Sequence, residues 1–149
     1  MMTKPAVHAA CMAMLEHRLN LLKHEMRALQ EASEEETKSS AGDKYETTRE
    51  MIQAEKEKLA ERMEEASNFL HLMGSIQPDI HPSHIQTGSL VQTETGWIYV
   101  SVGLGTVHVA GQKIFVISPV APVAQAMLGK KAGDVFQLNG KTQTIKIHL

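Results

Sequence analysis

MAMLEHRLNLLKHEMRAL, residues 12–29, places Met12, Leu15, Leu19, Leu22, Met26 and Leu29 at successive intervals of 3, 4, 3, 4 and 3. Apolar side chains in that rhythm line one face of a helix and form the a/d seam of a coiled coil. Outward from it, helix-forming sequence runs from about Thr3 to Glu36, breaks at Ser39-Ser40-Ala41-Gly42, and resumes from about Asp43 to Met73. The second run carries Tyr45, Ile52, Leu59, Met63, Ala66, Leu70 and Met73 on a matching stripe, with polar interruptions around Arg49 and Lys56. Two seams joined by a short break predict an antiparallel helical hairpin over residues 1–73, with its tip at about 37–46. At 1.5 Å per residue such a finger carries a chemical group ~40 Å from its anchor. It buries too little surface to form a catalytic domain, so the tip is where function is sought. Gly42 tolerates a positive φ at the reversal, and Ser39, Ser40 or Asp43 can cap the returning helix. Asp43 with Glu46 three residues later fits a capping box.

Charge sharpens the picture of the tip. The chain of 149 residues has a formal charge of −2, yet residues 31–50 hold seven acids against Lys38, Lys44 and Arg49. An acidic tip argues against direct binding to a phosphate backbone, which needs cations to displace counterions. It suits a metal ion or a basic partner. Glu34, Glu35 and Glu36 form a second acidic group, read as a solvated helix face. No apolar run reaches membrane-spanning length, which predicts no membrane partner. The single Cys11 cannot form an internal disulfide, so a cytoplasmic location is expected. Cys11 and most of the nine methionines, including Met12, Met26, Met63 and Met73, read as packing residues.

A glycine and two prolines in residues 74–82 end the helical pattern and mark a linker. Beyond it, residues 83–149 change period. Ser89–Thr93, Gly96–Val102, Gly105–Val109, Lys113–Ile117, Val135–Leu138 and Thr142–His148 are β-prone runs between turn signals, of which Asn139-Gly140 is a tight hairpin turn. Pro122–Leu128 reads as a short helix with proline near its start and Gly129 past its end. The fold class expected is therefore α+β: a helical coiled-coil hairpin followed by a small antiparallel β-sheet domain with one short helix.

Ser118-Pro119, Ala126-Met127-Leu128-Gly129-Lys130 and Gly133-Asp134 stand in the order and spacing of a segment that resembles the C-terminal signature of the GreA/GreB transcription elongation factors. The helical hairpin precedes it in that family's order, so the resemblance spans both parts of the chain. It implies an FKBP-like C-terminal domain that docks on bacterial RNA polymerase beside the secondary channel, with Ser118 and Pro119 in the docking surface. It also implies a coiled coil that enters the channel and acts on the 3′ end of the nascent RNA only indirectly. In cleavage-promoting members, tip acids help hold a second Mg²⁺ at the polymerase active site, and backtracked RNA is hydrolysed. Asp43 and Glu46 are the candidates here, as catalytic tip acids and as ligands of a Mg²⁺ shared only in the polymerase complex. No cofactor is expected to bind stably to the free chain. The family tip reads acid, two residues, acid, then Asn-Ala-Glu-Tyr. Matching Tyr45 to that tyrosine puts Lys38 and Ala41 where the acids stand, which leaves Asp43 and Glu46 open to both the metal and the capping reading.

Three function classes follow. The first is a factor, not itself an enzyme, that modulates polymerase-catalysed cleavage, or a Gre-like inhibitor that occludes the channel. The second is a prolyl isomerase, disfavoured because that chemistry uses an aromatic-lined pocket and the domain offers Trp97, Tyr99, Phe115 and Phe136 alone. The third is a coiled-coil interaction protein unrelated to transcription. No small-molecule substrate is indicated. His81-Pro82-Ser83-His84 with His71 lacks an accompanying cysteine and helical spacing, and is assigned no metal. Gly103-Leu104-Gly105-Thr106 reads as a turn, and Lys130-Lys131 as cations suited to a helix C-terminus.

Overall fold

A computed structural model describes residues 2–38 and 42–149, the side chains of residues 36–38 and 42–45 excepted. Two long helices, α1 (Lys4–Lys38) and α2 (Gly42–Gly74), come first. Strands β1 (Leu90–Thr93), β2 (Gly96–Val100), β3 (Gly105–Val109) and β4 (Gln112–Ile117) follow. Then come helix α3 (Pro122–Met127) and strands β5 (Val135–Leu138), β6 (Lys141–Thr144) and β7 (Ile147–His148). The architecture is α+β, as the change of period predicts. The break at residues 39–41 lies outside the described residues.

By compactness the chain divides into Met14–Leu70 and a second unit in which Met1–Ala13 joins His71–Leu149. In the helical unit, Leu15, Leu22, Leu59 and Ala66 are buried. Leu19, Met26, Leu29, Ile52 and Met63 are half-buried along the same stripes. Glu25, Ala28, Leu29 and Ala32 of α1 share a groove with Glu55, Leu59 and Arg62 of α2, so these two runs lie side by side. Toward residue 45 the seam weakens: Thr48 is half-buried while Arg49 is exposed, and Lys56 holds a half-buried seam position.

The β-containing unit is built on a five-stranded sheet of order β3-β4-β2-β1-β7, beside a two-stranded ribbon of β5 and β6. Pairing is antiparallel except between β2 and β4, which run parallel with Tyr99 opposite Val116. The sheet is thus predominantly antiparallel, as expected, with one parallel pairing that arises because β3 folds back on the outer edge of β4 and leaves β4 to enter beside β2 in the same direction. Side chains alternate between faces. Val91, Ile98 and Val100 cluster on one face with Ile85, which precedes β1, with Ala124 and Met127 of α3, and with Phe136 and Ile145. Leu90, Tyr99, Ile114 and Val116 on the opposite face are equally buried, as are Val7, Cys11 and Met73 from the two long helices.

The run Thr142–His148, expected as one strand, is two. β6 pairs with β5, whereas β7 pairs with β1, placing Val91 opposite His148. Ile145 lies between them, fully buried, its N–H donating to the Asp134 carbonyl at 2.9 Å. The next N–H, of Lys146, donates to Gln92 on the sheet at 2.8 Å. The Glu94 carboxylate, in the β1–β2 turn, accepts the Thr144 N–H at 2.8 and 3.0 Å and holds the end of the ribbon. Asn139 and Gly140 both adopt positive φ, the type I′ geometry read from their pairing.

Candidate functional site

Ser118 and Pro119 lie directly after β4, where the chain turns from the sheet into α3. The Ser118 hydroxyl accepts the Val120 N–H at 3.3 Å, and the Ser118 carbonyl accepts the Ala121 N–H at 3.0 Å. Gln125, on α3, donates from its side-chain amide to the Pro119 carbonyl at 2.6 Å. The turn is therefore fixed from both sides, a Ser-type turn reinforced by the helix that follows. Its apex is apolar: Val120 is 78% exposed. Sequence reading singles out Ser118 and Pro119 but passes over Val120, because nothing in an apolar residue between proline and alanine says that it points outward.

The remainder of the signature is equally well formed. Proline opens α3, and Ala124 and Met127 bury its inner face. Gly129 and Gly133 have φ of +81° and +94°, conformations in which a side chain is strained, so glycine is required at both places. Gly129 donates to the Ile85 carbonyl at 2.9 Å, and Ile85 donates to the Lys130 carbonyl at 2.7 Å. Asp134 accepts the Lys131 N–H through its carboxylate at 3.0 Å, closing the turn into β5.

No family model matches this chain. No curated protein matches it either. Among solved structures, that of the transcription factor Gfh1 is similar at 18% identity and a TM-score of 0.37, covering 91% of this chain and 91% of that one.

At the other candidate location, α2 already begins at Gly42, so Asp43 is the second residue of the helix and Glu46 follows three residues later. Glu46 is exposed, as are Glu34 and Glu35 on α1. The Asp43 side chain, with most of the tip at 37–46, lies outside the described residues. Among the described residues, no three His, Cys, Asp or Glu side chains converge to hold a metal ion. No helix among them is long and apolar enough to cross a membrane.

The histidines sort differently from their order in sequence. His71 is exposed on α2, while His81 meets His148 edge-to-face with ring centroids 5.5 Å apart. His148 is buried, and its Nε2 shares a hydrogen bond with the Ser89 hydroxyl at 2.8 Å. Burial, followed by His81, Lys4 and His84, holds the His148 imidazole below the usual histidine range. A second polar contact joins His8 of α1 to the fully buried Tyr99 of β2, Nδ1 to Oη, at 2.7 Å. Burial lowers His8 and raises Tyr99, with Cys11 raising the phenol further. Cys11 itself is pushed up to about 11 by burial, which keeps it a thiol.

Proposed function

We propose that the chain is a transcription elongation factor that docks on bacterial RNA polymerase through the Ser118–Val120 turn and modulates cleavage of backtracked RNA with its helical tip. The observation that carries this reading is the segment Ser118–Val135, whose sequence resembles the GreA/GreB signature. The residues that match are those that build the turn, the short helix, and the two glycine-dependent bends. The fixed turn presents Val120 with the flanking Pro119, a small apolar knob that loses little entropy when a partner covers it. The architecture of two long helices followed by a small β unit is consistent with the same role.

At the tip, Asp43 and Glu46 lie one helical turn apart on α2. Two carboxylates are about what Mg²⁺ accepts from a protein, and the exposure of Glu46 suits an ion whose other ligands come from a second molecule. Held there by Asp43 and Glu46 in the polymerase complex, the ion would supply charge to polarise a water and neutralise a leaving oxygen. On this reading the chain contributes the two carboxylates and brings them to a partner's active site. A second reading has one observation in its favour: Lys38 and Ala41 occupy the places of the family's tip acids. On that reading the finger occludes the channel and slows cleavage.

Stalled, backtracked polymerase complexes incubated with Mg²⁺ and the chain separate these readings by following RNA shortening. Faster cleavage that is lost in Asp43→Ala/Glu46→Ala identifies delivered acids. Slower cleavage that survives the double substitution identifies occlusion. Val120→Asp is expected to weaken polymerase binding at least about tenfold by placing a charge in a desolvated contact, with the thermal transition unchanged. Absence of polymerase binding by the native chain would sink the proposal.

A further inference from the structure

Lys4 opens α1 yet belongs to the β-containing unit, where it is 5% exposed. Its ammonium donates to the Ile80 carbonyl at 2.5 Å. An ammonium has three donors, and one hydrogen bond leaves two unused. Among the described residues no carboxylate pairs with it, and burial lowers its proton affinity. A buried cation without a counter-charge is costly, and the cost falls when an anion lies beside it.

There is room for one. Lys4 lines a cleft of about 370 Å³ with Gln77, Gln86 and Thr87, walled on its apolar side by Ile76 and Ile80. This is within the size range of small-molecule sites. No acidic side chain lines it. The amides of Gln77 and Gln86 and the Thr87 hydroxyl have no hydrogen-bond partner among the described residues and can each donate. One buried positive charge, three neutral donors and an apolar wall form a set complementary to a small anion with a carbon skeleton.

We propose that this cleft binds a small-molecule oxyanion, a phosphate ester or a carboxylate, with its charged end on the Lys4 ammonium and its outer oxygens on Gln77, Gln86 and Thr87. The site is formed by Lys4 and residues within 75–88, all in the β-containing unit, and involves neither the tip acids nor the Ser118–Val120 turn, so it stands or falls independently of polymerase binding.

The full-length chain, labelled with ¹⁵N, is titrated with inorganic phosphate and separately with citrate, ionic strength being held constant with chloride. Saturable shifts are expected for Gln77, Gln86 and Thr87 with at least one probe. Response to phosphate alone assigns a phosphate ester, and response to citrate alone a carboxylate; both support the site. Lys4→Met is expected to weaken binding at least about tenfold, the equivalent of one charge-assisted hydrogen bond, and Lys4→Arg to retain most of it. Should Lys4→Met fail to fold, Gln86→Leu/Thr87→Val alters exposed side chains only and is expected to weaken binding severalfold. Non-saturating shifts spread over the chain, or saturable shifts undiminished in these variants, would overturn the proposal.

Discussion

His148 shows how one residue can couple stability to pH. Its folded proton affinity lies below the ordinary histidine value of 6.5, through burial first and then His81, Lys4 and His84. His8 is lowered in the same direction by burial. The unfolded chain therefore binds more protons than the folded chain as pH falls through 6.5, and stability that is complete above this value declines below it. Urea midpoints measured at pH 8 and pH 5 are expected to fall toward acid, and His148→Gln is expected to shrink the difference. An undiminished pH dependence in that variant would remove His148 from the explanation. By sequence alone His81 and His84 group with His71, because those residues are near in the chain. The actual partner stands 59 residues from Ser89, brought there by β7 pairing with β1. Spacing carries information about residues on one element, and none about two strands that meet from opposite ends of a domain.

At the scale of elements, periodicity finds α1 and α2 to within two residues because long seams repeat the same signal many times. It fails at Thr142–His148, where the β-prone run passes Ile145 without a turn signal while the strand changes partners and burial shifts from Ile145 to His148, leaving Ile147 exposed. Alternation reports that one face is buried and not which neighbour supplies the hydrogen bonds. The seam of α2 makes a sharper prediction. Lys56 occupies a half-buried seam position between Ile52 and Leu59, so a charged head is kept near apolar neighbours. Lys56→Leu is expected to stabilise the helical unit by about 1 kcal/mol, since burial contributes roughly 25 cal/mol per Å². Lys58, two residues on, is 63% exposed and pairs with Glu55 at 3.6 Å on the surface. Lys58→Leu is expected to change stability by less than about 0.5 kcal/mol, as surface substitutions commonly do. Thermal melts of the two variants make the comparison; equal gains would show that Lys56 is not a seam residue.

For the whole molecule, composition suggests a division at residues 74–82, while compactness gathers Met1–Ala13 and His71–Leu149 into one unit. The seam read on α1 begins at Met12 and leaves out Val7, and Cys11 reads as a packing residue without saying against what, since a helix presents the same apolar spacing to another helix or to a sheet. In the fold these residues, with Met73, are fully buried in the unit that contains Tyr99, and His8 bonds the tyrosine hydroxyl. Full burial of a side chain of this size is worth roughly 1.5–3 kcal/mol, and domain stabilities are about 5–15 kcal/mol, so losing several at once is decisive. A shortened chain of residues 74–149 is thus expected to lack a cooperative thermal transition and a native environment for Trp97. A second shortened chain, with residues 1–13 joined through a glycine-serine linker to 71–149, is expected to recover both without residues 14–70. Far-UV dichroism and Trp97 fluorescence read the outcome. If residues 74–149 alone melt at the same temperature as the joined chain, the helix ends contribute nothing to that core and the sheet stands without them.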